Sequence, residues 1–157
     1  MENNNGKILI TQSGYEEIKK QYDNLVNVKR PAAVVRVADT RSLGDLTQDT
    51  ENIQAKQELS FVDGKISELE DVLSKLKIIK DEEIDKGQVS FGCRVTVESG
   101  SGNTVYHLVG EWEANPLDMK ISYESPLGKG LMGKKVGEKV EVEAPVGKIT
   151  YTIKKIE

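Results

Sequence analysis

Apolar positions along this chain follow two regimes. Between residues 18 and 76 they recur every three or four positions, and beyond residue 89 they alternate with polar ones. Ala55, Leu59, Val62, Ile66, Leu69, Leu73 and Leu76 form an unbroken a/d seam, the pattern of a helix buried along one partner. Ile18, Tyr22 and Leu25 begin an earlier amphipathic helix, with Val28, Ala32 and Val35 as its continuation and Thr11 as its N-cap. Pro31 removes an amide donor and crowds the preceding turn, which predicts a kink over 27–31. The turn joining the two runs is short, so the spacing predicts an antiparallel coiled coil about 45 Å long.

Asp81–Gly87 is a charged break, after which the period is two. Val89, Phe91, Cys93, Val95 and Val97 alternate, Ser99–Asn103 reads as a turn, and Thr104–Val109 returns. Further strands are predicted at 120–123, 139–143 and 148–156, with a short helix at 127–133 covering one face of an antiparallel sheet. The fold class is therefore α+β. Residues 1–80 form a helical coiled coil whose turn lies at 42–52, and residues 81–157 form a small β-sheet domain.

Composition narrows the function classes. The chain has 157 residues, 37% hydrophobic and 31% charged, and no apolar run approaches the ~20 residues of a membrane-spanning helix. Its N-terminus lacks the basic and apolar regions of a signal peptide, which with a single cysteine points to the cytoplasm. That cysteine, Cys93, admits no internal disulfide and no cysteine-based zinc site. A net charge of −4 argues against coating nucleic acid through bulk charge. Six basic residues between Lys19 and Arg41 (Lys19, Lys20, Lys29, Arg30, Arg36, Arg41) face only Asp23 and Asp39, which leaves either a local basic stripe or a solvated helix face. His107 and Cys93 lie within strand patterns without companions at ligand spacing, and Trp112 reads as a packing anchor.

Candidate chemistry concentrates in the turn. Asp45, Asp49 and Glu51 place three carboxylates within seven residues, a donor set that suits a hard divalent cation but departs from the EF-hand spacing. Such a turn cannot exclude water by itself, so any reaction there needs a pocket from another molecule. The plainer reading is structural: Asp45 as N-cap and Gln48 three residues on make a capping box, favoured further by the helix dipole.

Gly44-Asp45-Leu46, Glu51 and Ala55-Lys56-Gln57-Glu58, preceded by Arg30-Pro31 and Ala38–Arg41, resemble the coiled-coil tip of the bacterial Gre transcript-cleavage factors. Phe91-Gly92, Ile121-Ser122, Ser125–Gly128 and Leu131–Glu138 resemble the family's C-terminal domain, so the similarity runs in register over nearly the whole chain. The acidic balance is that of the less basic branch of the family.

The resemblance implies a coiled coil followed by a domain similar to FK506-binding proteins. It implies a factor that is not itself an enzyme, docks on the rim of the secondary channel of RNA polymerase, and stimulates cleavage of backtracked RNA 3′ ends. Ser125, Pro126, Leu127 and Gly128 match the polymerase-binding loop, and Arg41 and Lys56 match the basic patch that meets the RNA. At the tip, Asp45 matches one acid that helps the polymerase hold Mg²⁺. No cofactor of the chain's own is implied. The family's second acid falls on Gln48, which has no negative charge, the following Asn on Asp49, and the family Tyr on Asn52.

Two alternatives stand beside this expectation. One is a Gre-like paralogue that occupies the channel and modulates or inhibits the polymerase. The other, from a different class, is a prolyl isomerase or chaperone; Phe91, Tyr106, Trp112, Tyr123 and Tyr151 read as its small core rather than as a substrate pocket. Internal pairing of the two helices predicts a monomer.

Overall fold

A computed structural model describes residues 6–41 and 46–157, with the backbone alone at 46–49. The chain divides into two compact units, Tyr15–Leu76, and Met1–Gly14 together with Lys77–Glu157. This division differs from the boundary read at 80/81, because the first strand belongs with the C-terminal unit.

In the helical unit, α1 (Gln12–Asn24) passes through a π-helical segment (Leu25–Lys29) into α2 (Arg30–Arg41), and α3 (Leu46–Lys75) runs antiparallel to them. The anticipated irregularity before Pro31 is thus a π segment, in which the Arg30 N–H donates to the Leu25 carbonyl. Widening the turn by one residue accommodates a proline that a regular turn would crowd. It also shifts the buried stripe by one position. Ala33 is buried, with Val37 and Thr40 partly so, while Val28, Ala32 and Val35 are exposed. The sequence-predicted continuation of the first helix is corrected accordingly.

The second seam keeps its register. Ala55, Val62 and Leu69 are buried, and Leu59, Ile66 and Leu73 are half-buried. Its last member does not stay helical: Leu76 opens strand β2 (Leu76–Ile79), which pairs with β1 (Ile8–Thr11). The β-branched pair Ile78-Ile79 favours strand there, and β1 supplies the ladder. Across the helices, Tyr22 Oη donates to Glu70 at 2.9 Å, Arg30 pairs with Asp63 at 2.7 Å, and Arg36 pairs with Glu58.

Thr11 caps α1 as its position suggested, its Oγ accepting from the Gly14 N–H at 3.2 Å. The Thr11 backbone N–H and hydroxyl both donate to the Glu113 carboxylate, the former at 3.0 Å. A Cβ on Gly14 would stand 2.2 Å from the Glu113 carboxyl carbon, so this approach requires glycine.

The larger sheet contains β3 (Arg94–Ser99), β4 (Gly102–Val109), β5 (Lys120–Ser122), β6 (Lys139–Ala144) and β7 (Gly147–Ile156), in the order β5-β4-β3-β7-β6. Four strands pair antiparallel as their alternation suggests; β5 runs parallel to β4 because two short 3₁₀ turns carry the chain across between them. Val89, Phe91 and Cys93 are buried alternately but precede β3 in a turn, where Gly92 has a φ of +86°. The core joins Val89, Cys93, Val95, Val97, Leu108, Val140 and Ile153 to Leu131 of helix α4 (Pro126–Leu131). None of the helices among the described residues is long and apolar enough to cross a membrane.

Candidate functional site

The helical unit ends in a polar lock. As the apolar seam runs out, Asn52 Nδ2 donates to Thr40 Oγ1 at 3.0 Å and to the Val37 carbonyl at 3.3 Å. The Thr40 hydroxyl in turn donates to the Arg36 carbonyl at 2.9 Å. An amide at position 52 thus ties α2 to α3 immediately below their connection. Asp45 and its proposed capping of Gln48 lie outside the described residues. Gln48 and Asp49 belong to the first turn of α3, and their side chains lie outside the described residues as well. Position 48 is four residues before Asn52, in phase with the seam, whereas position 49 is about 100° further round the helix.

Arg41 and Lys56 are exposed on opposite helices. Thr40 faces Asn52 and Arg36 faces Glu58, so Lys56 falls between these rungs and Arg41 just beyond the last. They share one end of the hairpin, about a helical turn apart along it. The basic stripe is thinner than its count suggests. Lys19, Arg30 and Arg36 are engaged by Asp23, Asp63 and Glu58, which leaves Lys20, Lys29 and Arg41 outside ion pairs with described residues.

The second predicted site is a built helix start. Ser125 is the N-cap of α4, its Oγ accepting from the Gly128 N–H at 3.0 Å and donating to the Ser122 carbonyl at 2.6 Å. Pro126 occupies the first helical position, where its missing N–H costs nothing, and its surface is exposed. Leu127 packs against the core. Gly128 is buried so closely that a Cβ would stand 2.1 Å from the Ser122 carbonyl oxygen. Of the four residues, Pro126 presents an open surface, and Ser125 and Gly128 hold the local backbone.

Elsewhere the structure separates packing from exposure. Cys93 is fully buried, its thiol within 3.2 Å of Ser90 Oγ. His107 Nε2 lies 3.1 Å from the Gly92 carbonyl, and burial followed by the neighbouring Arg94 charge holds its pKa below the usual 6.5. Phe91 meets Tyr123 edge to face at 5.4 Å, and Tyr106 meets Tyr151 at 6.5 Å. Trp112 differs from the anchor that the sequence suggested, being 44% exposed. Glu113 was not legible at all, because its partners at Thr11 are 102 positions away.

Residues 8–78 match the family described as "Transcription elongation factor, N-terminal", and residues 84–157 match "Transcription elongation factor, GreA/GreB, C-term". The chain is 40% identical over 151 residues to a transcription elongation factor GreA of Thermoanaerobacter pseudethanolicus, covering 95% of this chain and 96% of that protein. It is 41% identical over 153 residues to a GreA of Neorickettsia sennetsu, covering 96% of each. Among solved structures, GreA factor homolog 1 (Gfh1) of Thermus thermophilus is similar at 28% identity with a TM-score of 0.46, covering 96% of this chain and 99% of that one. With both halves matched in order and relatives at this identity spanning nearly its full length, the chain belongs to the GreA/GreB family of transcription elongation factors.

Proposed function

We propose that this protein is a transcription elongation factor that binds RNA polymerase at the rim of the secondary channel and stimulates cleavage of backtracked RNA 3′ ends. The observation that carries this reading is the pairing of the two family matches with an antiparallel helical hairpin, whose connection lies between Arg41 and Leu46. In this reading the C-terminal unit docks with Pro126 exposed at the start of α4, and the hairpin enters the channel. The chain supplies no active site of its own and acts in the cytoplasm as a monomer.

At the hairpin end, Arg41 and Lys56 hold RNA phosphates by charge. Asp45 adds a carboxylate beside the Mg²⁺ of the polymerase, which supplies the Lewis-acid chemistry of phosphodiester cleavage. Gln48 contributes no charge, and Asp49 offers an acid one step round the helix. The measurement that tests this is RNA cleavage in stalled, backtracked complexes of the cognate polymerase, with and without the protein. Accelerated release of 3′ fragments and resumed elongation are expected. Binding without acceleration would overturn cleavage as the activity and leave channel occupancy.

A further inference from the structure

The outer face of the C-terminal sheet carries an arrangement that neither the core nor the hairpin uses. Arg94 of β3 stands directly opposite His107 of β4, and His107 directly opposite Lys120 of β5. Arg94 and Lys120 thus flank an imidazole in one row across adjacent strands, and on its other side Arg94 exchanges backbone hydrogen bonds with Glu157. Their flanking positions Val95 and Leu108 are in the core, so the row lies on the opposite face. Lys120 is in no ion pair with a described residue; Arg94 is in none either, but it lies near enough to the Glu157 carboxylate, which Lys155 holds, to help keep that group's pKa down.

The three residues line a depression with Val105, Asp118 and Met119. Asp118 is partly committed, its carboxylate accepting from Asn115 Nδ2 at 2.8 Å. Val105 and Met119 are 48% and 46% exposed, so an apolar edge adjoins the cations. Met119 also has a φ of +55°, the one positive φ of a non-glycine among the described residues. This left-handed position closes the 3₁₀ turn at Pro116–Asp118, with the Met119 N–H donating to the Pro116 carbonyl at 3.2 Å, and it disfavours side chains with a Cβ. A glycine there would relax the backbone and lose the apolar edge.

We propose that this depression is a docking site for an acidic segment of a protein partner, with a carboxylate seated between Arg94 and Lys120 and an adjacent aliphatic side chain against Val105 and Met119. Charge complementarity selects the carboxylate. The apolar edge selects a peptide over a free phosphate, which brings nothing to cover it, and a chain of net charge −4 disfavours a nucleic acid. The site is independent of the hairpin end and of the α4 start.

His107 couples the site to pH. Its Nε2 must carry the proton to donate to the Gly92 carbonyl, which leaves Nδ1 as the basic atom. Arg94 and Lys120 oppose its protonation, whereas Glu113 favours it. A seated carboxylate adds a favourable charge beside the row. Binding therefore tightens as pH falls through the region where His107 takes up its proton.

The test is a titration of the full, isotope-labelled chain by NMR. The probe is a blocked hexapeptide alternating Leu and Glu, with its Leu/Lys counterpart and inorganic phosphate as separate arms. Saturable shifts are expected at the Arg94, His107, Met119 and Lys120 signals with the acidic peptide, tighter at pH 6 than at pH 7.5. The double variant Arg94→Ala/Lys120→Ala should weaken binding at least about fivefold. Met119→Gly should also weaken it while raising or preserving the thermal midpoint, so a loss there is not a loss of fold. Equal binding of the Lys peptide, unchanged affinity in both variants, or phosphate reproducing the same shifts at similar concentration would each overturn the proposal.

Discussion

At the scale of single residues, Gln48 separates capping from chemistry. A cap needs only a side-chain oxygen at the third helical position, which Gln and Glu both provide. Assistance to a cation needs negative charge. Gln48→Glu is therefore expected to leave thermal stability nearly unchanged and to raise transcript cleavage at least about tenfold, equivalent to ~1.4 kcal/mol of barrier. Asp45→Asn in that variant should remove the gain, and Asp49→Asn should matter less. Full cleavage by the native chain that Asp49→Asn abolishes would instead pair Asp45 with Asp49.

His107 gives a second residue-scale test. Burial, reinforced by Arg94, holds its folded pKa below the unfolded 6.5, so the unfolded chain takes up the proton first as pH falls. Its contribution to stability is complete above pH 6.5 and is lost as pH falls from there through the lowered folded value. Denaturant midpoints measured at pH 7.5 and 5.5 should drop more for the native chain than for His107→Gln. Equal drops would show that His107 does not contribute.

At the scale of elements, the π segment decides which face of α2 is inside. The regular pattern puts Ala32 on the seam, whereas the widened turn puts Ala33 there and leaves Ala32 exposed. Ala33→Leu is expected to overpack the contact with α3 and cost about 1–3 kcal/mol. Ala32→Leu should be nearly neutral in the same thermal unfolding measurement. The reverse order would restore the regular register.

At the scale of the whole molecule, two surfaces divide the work of the proposed polymerase complex. Pro126 is exposed at a helix start whose backbone is fixed by Ser125 and Gly128, so Pro126→Ala should keep the fold and weaken polymerase binding in a titration. Unchanged affinity would remove this loop from the interface. Arg41→Ala with Lys56→Ala should reduce crosslinking to backtracked transcript more than binding to polymerase without RNA. Equal losses would limit both residues to docking.

The change of period from 3.5 to 2 determined the α+β class and the two kinds of unit without reference to any contact. The α3 seam was legible because its spacings follow directly from helix geometry, and Thr11 was legible as a cap because capping is local. The candidate site motifs came from family resemblance alone, since docking on a partner leaves no periodic signature. What the tertiary structure decided depends on partners distant in sequence. A proline eased by a widened turn moved the first seam by one residue, and a strand partner at residues 8–11 drew Leu76 out of the helix. Glu113 found Thr11 from 102 positions away. Arg94, His107 and Lys120 became one row only through strand register, which pairs residues that no local pattern connects.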